Sequence, residues 1–216
     1  MLAPLLLLAA HFGPGQTAMA RDEAARRVAL AAELAQVEDW QGAASAYSQA
    51  LAKLPDTDRV LRWSLRLAWA RARTRSGGLP EGLEDLDALL AEIQQQDAAS
   101  PLIEHVRAEL ATAEYYAGWL MRLEGAEVED WAAEVESARD RFRGLAMEKS
   151  SGGIPDTKEY RENLEAAVRL ARMELSELRE LPLPTFLQGS AKVSEKCRSR
   201  RRSDHSHPAA QTPGAK

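Results

Sequence analysis

The chain has only one cysteine, Cys197, which excludes an internal disulfide framework. β-Branched residues are few and stand singly, so strands find little support. Common enzyme signatures are missing as well: there is no GxGxxG, no Walker-type loop, no HExxH and no GxSxG. The four histidines are badly placed for catalysis, with one near the N-terminus, His105 alone on a helix, and two in the C-terminal tail. We therefore expect no enzyme, no catalytic residue, no cofactor and no metal.

What the chain does contain is typical of helices. Its 216 residues are rich in Ala, Leu, Glu and Arg, and 45% are hydrophobic while 28% are charged. This length is sufficient for a sizeable core. The expected class is all-α.

Charge is distributed unevenly. Residues 21–188 contain 21 basic and 31 acidic residues, whereas residues 189–216 contain 7 basic and 2 acidic ones. We therefore expect an acidic helical domain over residues 21–182 and a disordered basic tail over residues 183–216.

The N-terminus resembles a secretory signal peptide. An apolar run at residues 2–10 is followed by a Gly/Pro break and by Ala18-Met19-Ala20, a typical cleavage site before Arg21. The run is too short to anchor the chain in a bilayer. No Lys or Arg precedes it, although a signal peptide usually has a positive charge there. We expect an exported protein, periplasmic or extracellular, that begins near Arg21. A cytoplasmic protein with an uncleaved apolar leader is the alternative.

Apolar spacing and chain-breaking residues together predict seven helices. They cover residues 21–36, 40–54, 58–75, 80–96, 101 to the EGAE sequence at 124–127, 128–147 and 157–181. In the third helix Leu61, Leu65, Ala68, Trp69 and Ala72 lie on one side. Short loops make three antiparallel helix pairs and leave one helix at the end.

The stretch VEDWQGAASAYSQALAKLPD, residues 37–56, orders small and large side chains along one helix. Ala43, Tyr47 and Ala50 share a stripe, with Trp40 before them and Pro55 after them. The preceding helix supplies Leu30, Ala31 and Leu34 to the same contact.

This order of residues resembles a tetratricopeptide (TPR) repeat, which spans about 34 residues. The first pair fits best, although Arg27 and Ala31 stand where the family usually has tryptophan and glycine. The resemblance implies a short solenoid of about three pairs over residues 22–149, closed by the last helix as a cap. A different all-α bundle remains the alternative fold.

The resemblance also implies a function. TPR arrays hold peptides or partner proteins on a concave face lined by the first helix of each pair. In the repeat register, that face of the third helix carries a basic and aromatic set: Arg59, Arg62, Arg66, Trp69 and Arg73. We expect this set to bind an acidic protein segment, with Tyr115 adding an aromatic wall. The alternative is a solvated face that forms salt bridges within the acidic domain.

The tail sequence KVSEKCRSRRRSDHSH is the other binding candidate. Its arginines can contact nucleic acid or an anionic membrane surface, but no aromatic residue is interleaved for base stacking. A nucleic-acid-binding or surface-binding protein is therefore the alternative function. Cys197 is expected to be an exposed incidental thiol; the alternatives are an intermolecular disulfide or redox handle, or a metal site with His205 and His207. The tail can also fold back on the acidic domain or merely aid solubility.

Overall fold

The computed structural model describes residues 14–148 and 157–182 together with Cys197 and Arg200. All regular structure in these residues is helical, which confirms the all-α class. The helices in the described ranges are α1 (Pro14–Gln36), α2 (Trp40–Lys53), α3 (Arg59–Arg75), α4 (Leu79–Gln96), α5 (Leu102–Leu123), α6 (Val128–Met147), α7 (Thr157–Arg172) and α8 (Leu175–Glu180). They form two compact units that divide within α5, after Glu109. The sequence-based boundaries had grouped residues 21–182 in one domain.

Five of the seven predicted helices, α2 to α6, begin and end within one residue of the predicted positions. The first helix is longer than predicted, because α1 begins at Pro14 and not at Arg21. Proline suits a first helical turn, where its missing N–H leaves no hydrogen bond unmade. The Ala18-Met19-Ala20 sequence therefore lies inside a helix.

The predicted seventh helix over residues 157–181 is wrong in one respect, since it breaks between α7 and α8. Arg122 of α5 donates hydrogen bonds to the carbonyl oxygens of Leu170 and Met173, where α7 ends. Glu174 then starts α8 through a reciprocal capping box with Glu177. A distant arginine thus satisfies carbonyls that a continuous helix would have used itself.

The first pair turns tightly between α1 and α2. Glu38 takes a left-handed conformation with φ of 60°, and the carboxylate of Asp39 accepts a hydrogen bond from the Gly42 N–H at 2.9 Å. This cap explains why the break predicted at Glu38-Asp39 ends one helix and begins the next.

Small residues line the contact within this pair. Ala31, Ala43 and Ala50 have no exposed surface. Tyr47 packs against a cluster of Ala24, Ala50, Leu54 and Leu65. Trp40, Leu34 and Pro55 are half-buried, whereas Leu30 is 44% exposed and faces away from the core.

Helix α3 is buried on two sides, and the apolar side recognised in the sequence covers only one of them. On that side Leu65 joins the cluster with α2, whereas Leu61 is 52% exposed. On the side toward α4, Trp63 is fully buried and the side chain of Thr74 lies against Gly82.

The second unit is held by α5, α6 and α7. Helix α6 buries Val135, Ala138, Phe142 and Leu145, which are spaced three and four residues apart on one face. Gly118 of α5 allows close approach, because a Cβ at this position would lie 2.5 Å from Cγ2 of Val135.

Candidate functional site: an apolar cleft between α1 and α3

A cleft of about 1040 Å³ lies in the first unit between α1 and the start of α3. Its apolar lining comes from both helices and from the end of α2: Ala24, Ala25, Val28, Leu54, Val60, Leu61 and Leu65. Val60 and Leu61 are 61% and 52% exposed, so the cleft presents branched aliphatic side chains to solvent. Adjacent exposed aliphatic residues inside a concavity are typical of a binding surface.

The local sequence explains why the cleft exists. The turn at 55–58 ends α2 and places the first turn of α3 opposite α1. Arg21 joins the two helices by donating hydrogen bonds from Nε and Nη2 to the Asp58 carboxylate, at 2.7 and 2.6 Å. Hydrogen bonding from Arg21 lowers the pKa of the Asp58 carboxyl group. Val60 and Leu61 follow directly and stay outside the core.

Both signs of charge surround the apolar lining. The acidic residues are Asp22, Asp56 and Asp58, and the basic residues are Arg21 and Arg59. Asp56 pairs with Arg62 at 2.7 Å, while the Arg59 guanidinium lies 5.2 Å from the centre of the Trp63 ring. The rim therefore shows no strong preference for a ligand of one charge.

The arginines predicted to form a partner-binding set are engaged within the first unit. Arg62 donates to the Leu54 carbonyl at 2.6 Å as well as to Asp56. Arg66 pairs with Glu92 of α4, and Arg73 pairs with Asp85 of α4 at 2.9 Å. Of the set, only Arg59 lines the cleft.

The two carboxylates on α4 respond differently to this pairing. For Glu92, burial raises the pKa most strongly, but hydrogen bonds from Trp63 and Arg66 outweigh it and the pKa is lowered. For Asp85, burial is again the largest influence and raises the pKa despite the charge and hydrogen bond of Arg73. Arg66 and Arg73 of α3 therefore form salt bridges with α4 within the first unit.

The predicted aromatic residues are divided between the units. Trp69 lies in the first unit, where the Arg73 guanidinium is 5.1 Å from its ring centre. Tyr115 lies in the second unit, in a group with Tyr116 and Trp119 at centroid distances of 5.3 and 6.0 Å. Burial raises the pKa of Tyr115, which is consistent with a packed ring.

Sequence reasoning missed three residues that matter in the structure. Trp63 is at the centre of the α3–α4 contact, and it could have been found from the spacing of Trp63, Leu67, Ala70 and Thr74 along a second helical stripe. Glu134 and Arg200 form a buried ion pair, for which nothing local in the sequence gives a sign.

Cys197 is buried, so the prediction of an exposed thiol was wrong. The remaining tail arginines, His205, His207 and residues 1–13 of the leader lie outside the described residues. In the described ranges, no group of three or more His, Cys, Asp and Glu side chains is arranged to hold a metal ion. Within those ranges, too, no helix has the length and apolar character needed to cross a membrane.

Comparison with known proteins gives no family assignment. No family model, no curated protein and no solved structure matches the chain.

Proposed function

We propose that this protein is a non-enzymatic interaction scaffold that binds an apolar segment of a partner protein in the cleft between α1 and α3. The observation that carries the proposal is the exposure of Val60 and Leu61 inside a concavity of about 1040 Å³. Burying the part of these two side chains that is still exposed contributes about 1–1.5 kcal/mol each, roughly half the value for a fully exposed side chain.

The TPR-like arrangement proposed from the sequence supports the same cleft. In such an array the first helix of each pair lines the binding face, and we propose that α1 and α3 are the first helices of the first two pairs. Apart from Arg59, the cleft uses other residues than the arginine set.

The chemistry of the partner follows from the lining and the rim. Arg62, Arg66 and Arg73 already pair with Asp56, Glu92 and Asp85, so an acidic segment would have to displace internal carboxylates. An apolar segment gains from the aliphatic lining without that competition. We therefore propose a peptide with two or more large apolar anchors, as in helix-in-groove recognition.

A displayed peptide library selected on the wild-type protein tests the cleft. Selected peptides should be rich in apolar anchors and should lose at least about tenfold in affinity, by titration calorimetry, for Leu61→Asp. Val128→Asp is the matched control, since Val128 is 60% exposed in the other unit. Unchanged binding to Leu61→Asp would reject the cleft.

The same peptide selection tests whether the arginine set, and not the apolar cleft, binds the partner. Acidic peptides that bind Leu61→Asp normally, but fail to bind Arg62→Glu/Arg66→Glu, would support the set of Arg59, Arg62, Arg66, Trp69 and Arg73. If the acid partners are internal, this double change lowers the melting temperature and leaves cleft binding in place.

Export is the second part of the proposal. Cleavage before Arg21 would remove residues 14–20 from α1 but keep Arg21 and its hydrogen bonds to Asp58. We expect mass spectrometry of the protein from its native cell to give an N-terminus at or near Arg21. Recovery of intact Met1 protein, confined to the cytosol, would contradict export.

A further inference from the structure

Two residues of the C-terminal segment are packed into the second unit. Cys197 and Arg200 both have helical backbone conformation, and they are three positions apart, so they face the same way. Cys197 has no exposed surface, and only 9% of the Arg200 side chain is exposed. In a solvated tail, a thiol and a charged side chain would both be exposed.

The contact on the other side is a buried carboxylate. Glu134 of α6 has no exposed surface, and Nη2 of Arg200 donates to both of its carboxylate oxygens, at 3.0 and 2.8 Å. An ionised carboxylate away from water is very unfavourable unless a cation compensates it. Arg200 supplies that cation from 66 positions further along the chain.

We propose that the surface of α6 around Glu134 is a docking site for an arginine-bearing segment, and that its occupant is the chain's own C-terminal segment, held through Arg200. Docking of Arg200 on Glu134 keeps the thiol of Cys197 out of solvent. When Arg200 leaves Glu134, the only thiol of the protein becomes accessible to a partner.

The energetics favour a cooperative contact. Removing Arg200 leaves the Glu134 charge buried without its guanidinium, and removing Glu134 leaves Arg200 without its carboxylate. Either change therefore raises the population in which the segment is undocked. Changing both together removes both members of the pair and should be less harmful than the sum of the single changes.

Thiol labelling tests the proposal directly, because the chain has a single cysteine. Full-length protein is mixed with N-ethylmaleimide, a neutral reagent, and the adduct is followed by mass spectrometry. In the wild type we expect labelling at least about a hundredfold slower than in the chain unfolded in guanidinium chloride. A wild-type rate within about twofold of the unfolded rate would overturn the proposal whatever the variants do.

The variants then identify the contact. Glu134→Gln and Arg200→Gln should each label at least about tenfold faster than wild type. Glu136→Gln and Arg172→Gln are the matched controls, since both residues are exposed, and their rates should equal that of the wild type. Circular dichroism melting reports whether each variant is folded. If Glu134→Gln is folded and labels no faster than Glu136→Gln, the docking site is rejected.

Protein concentration separates docking within one chain from exchange between chains. An intramolecular contact protects Cys197 equally at micromolar and at nanomolar concentration. Protection that disappears on dilution would assign the segment to a second copy and overturn the proposal.

Discussion

The carboxylate of Glu92 accepts a hydrogen bond at 2.7 Å from the indole nitrogen of Trp63, the largest fully buried side chain of the first unit. Arg66 donates to the other oxygen of the same carboxylate. One acidic side chain on α4 therefore satisfies the polar edge of a buried ring and balances a cation of α3. Losing this carboxylate should affect both interactions.

Glu92→Gln should lower the free energy of unfolding at pH 7 by about 1 kcal/mol, a small value because the pair is partly exposed. The pKa of Glu92 in the folded state is below its ordinary value of 4.5. Its contribution to stability is therefore complete above pH 4.5 and is lost as the pH falls through the folded-state pKa. Urea unfolding of both proteins between pH 7 and pH 3 measures this, and the difference should shrink toward zero at the acid end.

Asp85→Asn should not lower the free energy of unfolding at pH 7, in contrast to Glu92→Gln. Burial raises the pKa of Asp85 above 3.8, so the folded state favours the protonated form, and that advantage is lost as the pH rises through the folded-state pKa. Asparagine has no charge, so the variant avoids the desolvation cost of a half-buried carboxylate at pH 7. We expect it to be as stable as wild type or slightly more stable. Urea unfolding at pH 7 that shows a loss equal to that of Glu92→Gln would contradict this.

Ala43→Leu should destabilise the first pair, since Ala43 has no exposed surface and the contact has no room for a larger side chain. Overpacking of this kind costs about 1–3 kcal/mol. Ala52→Leu on the exposed side of α2 is the matched control and should stay within about 0.5 kcal/mol of wild type. Thermal and urea unfolding measure both. Equal stability of the two variants would count against a close α1–α2 contact.

Arg122→Met should weaken the junction of α7 and α8. The guanidinium lies 4.3 Å from the centre of the Trp131 ring and donates to two carbonyl oxygens, which methionine cannot do. We expect a loss of about 1.5–3 kcal/mol and faster amide hydrogen exchange near residues 170–178. Arg172→Met, at an exposed site, serves as the control for charge removal. Unchanged exchange at the junction would show that Arg122 does not hold it.

The expected helices agree with the structure where the cause of a helix end is local. Asp39 caps α2 from three residues before Gly42, and Pro80 lies in the first turn of α4, so both boundaries can be recognised in the sequence. The break after α7 is different, because it depends on Arg122, which is 48 positions before Leu170.

The candidate site was predictable only in part. The arginines of α3 were recognisable as a stripe in the sequence, but their partners on α4 were not. The spacing of residues within one helix does not show which other helix packs against that face. The spacing grouped Leu61 with Leu65 on one apolar side of α3, but only Leu65 is buried there, and Leu61 lines the open cleft.

The sequence by itself determined the helical class, most of the helix ends and the small residues of the first pair, because propensity, capping and side-chain size act over a few neighbouring positions. Only the tertiary structure decided which charges are paired, which aliphatic residues line a cleft, and that Cys197 is buried while Arg200 pairs with Glu134. Those outcomes depend on contacts between residues as far apart as Glu134 and Arg200. A buried charge is tolerated only where such a distant partner compensates it.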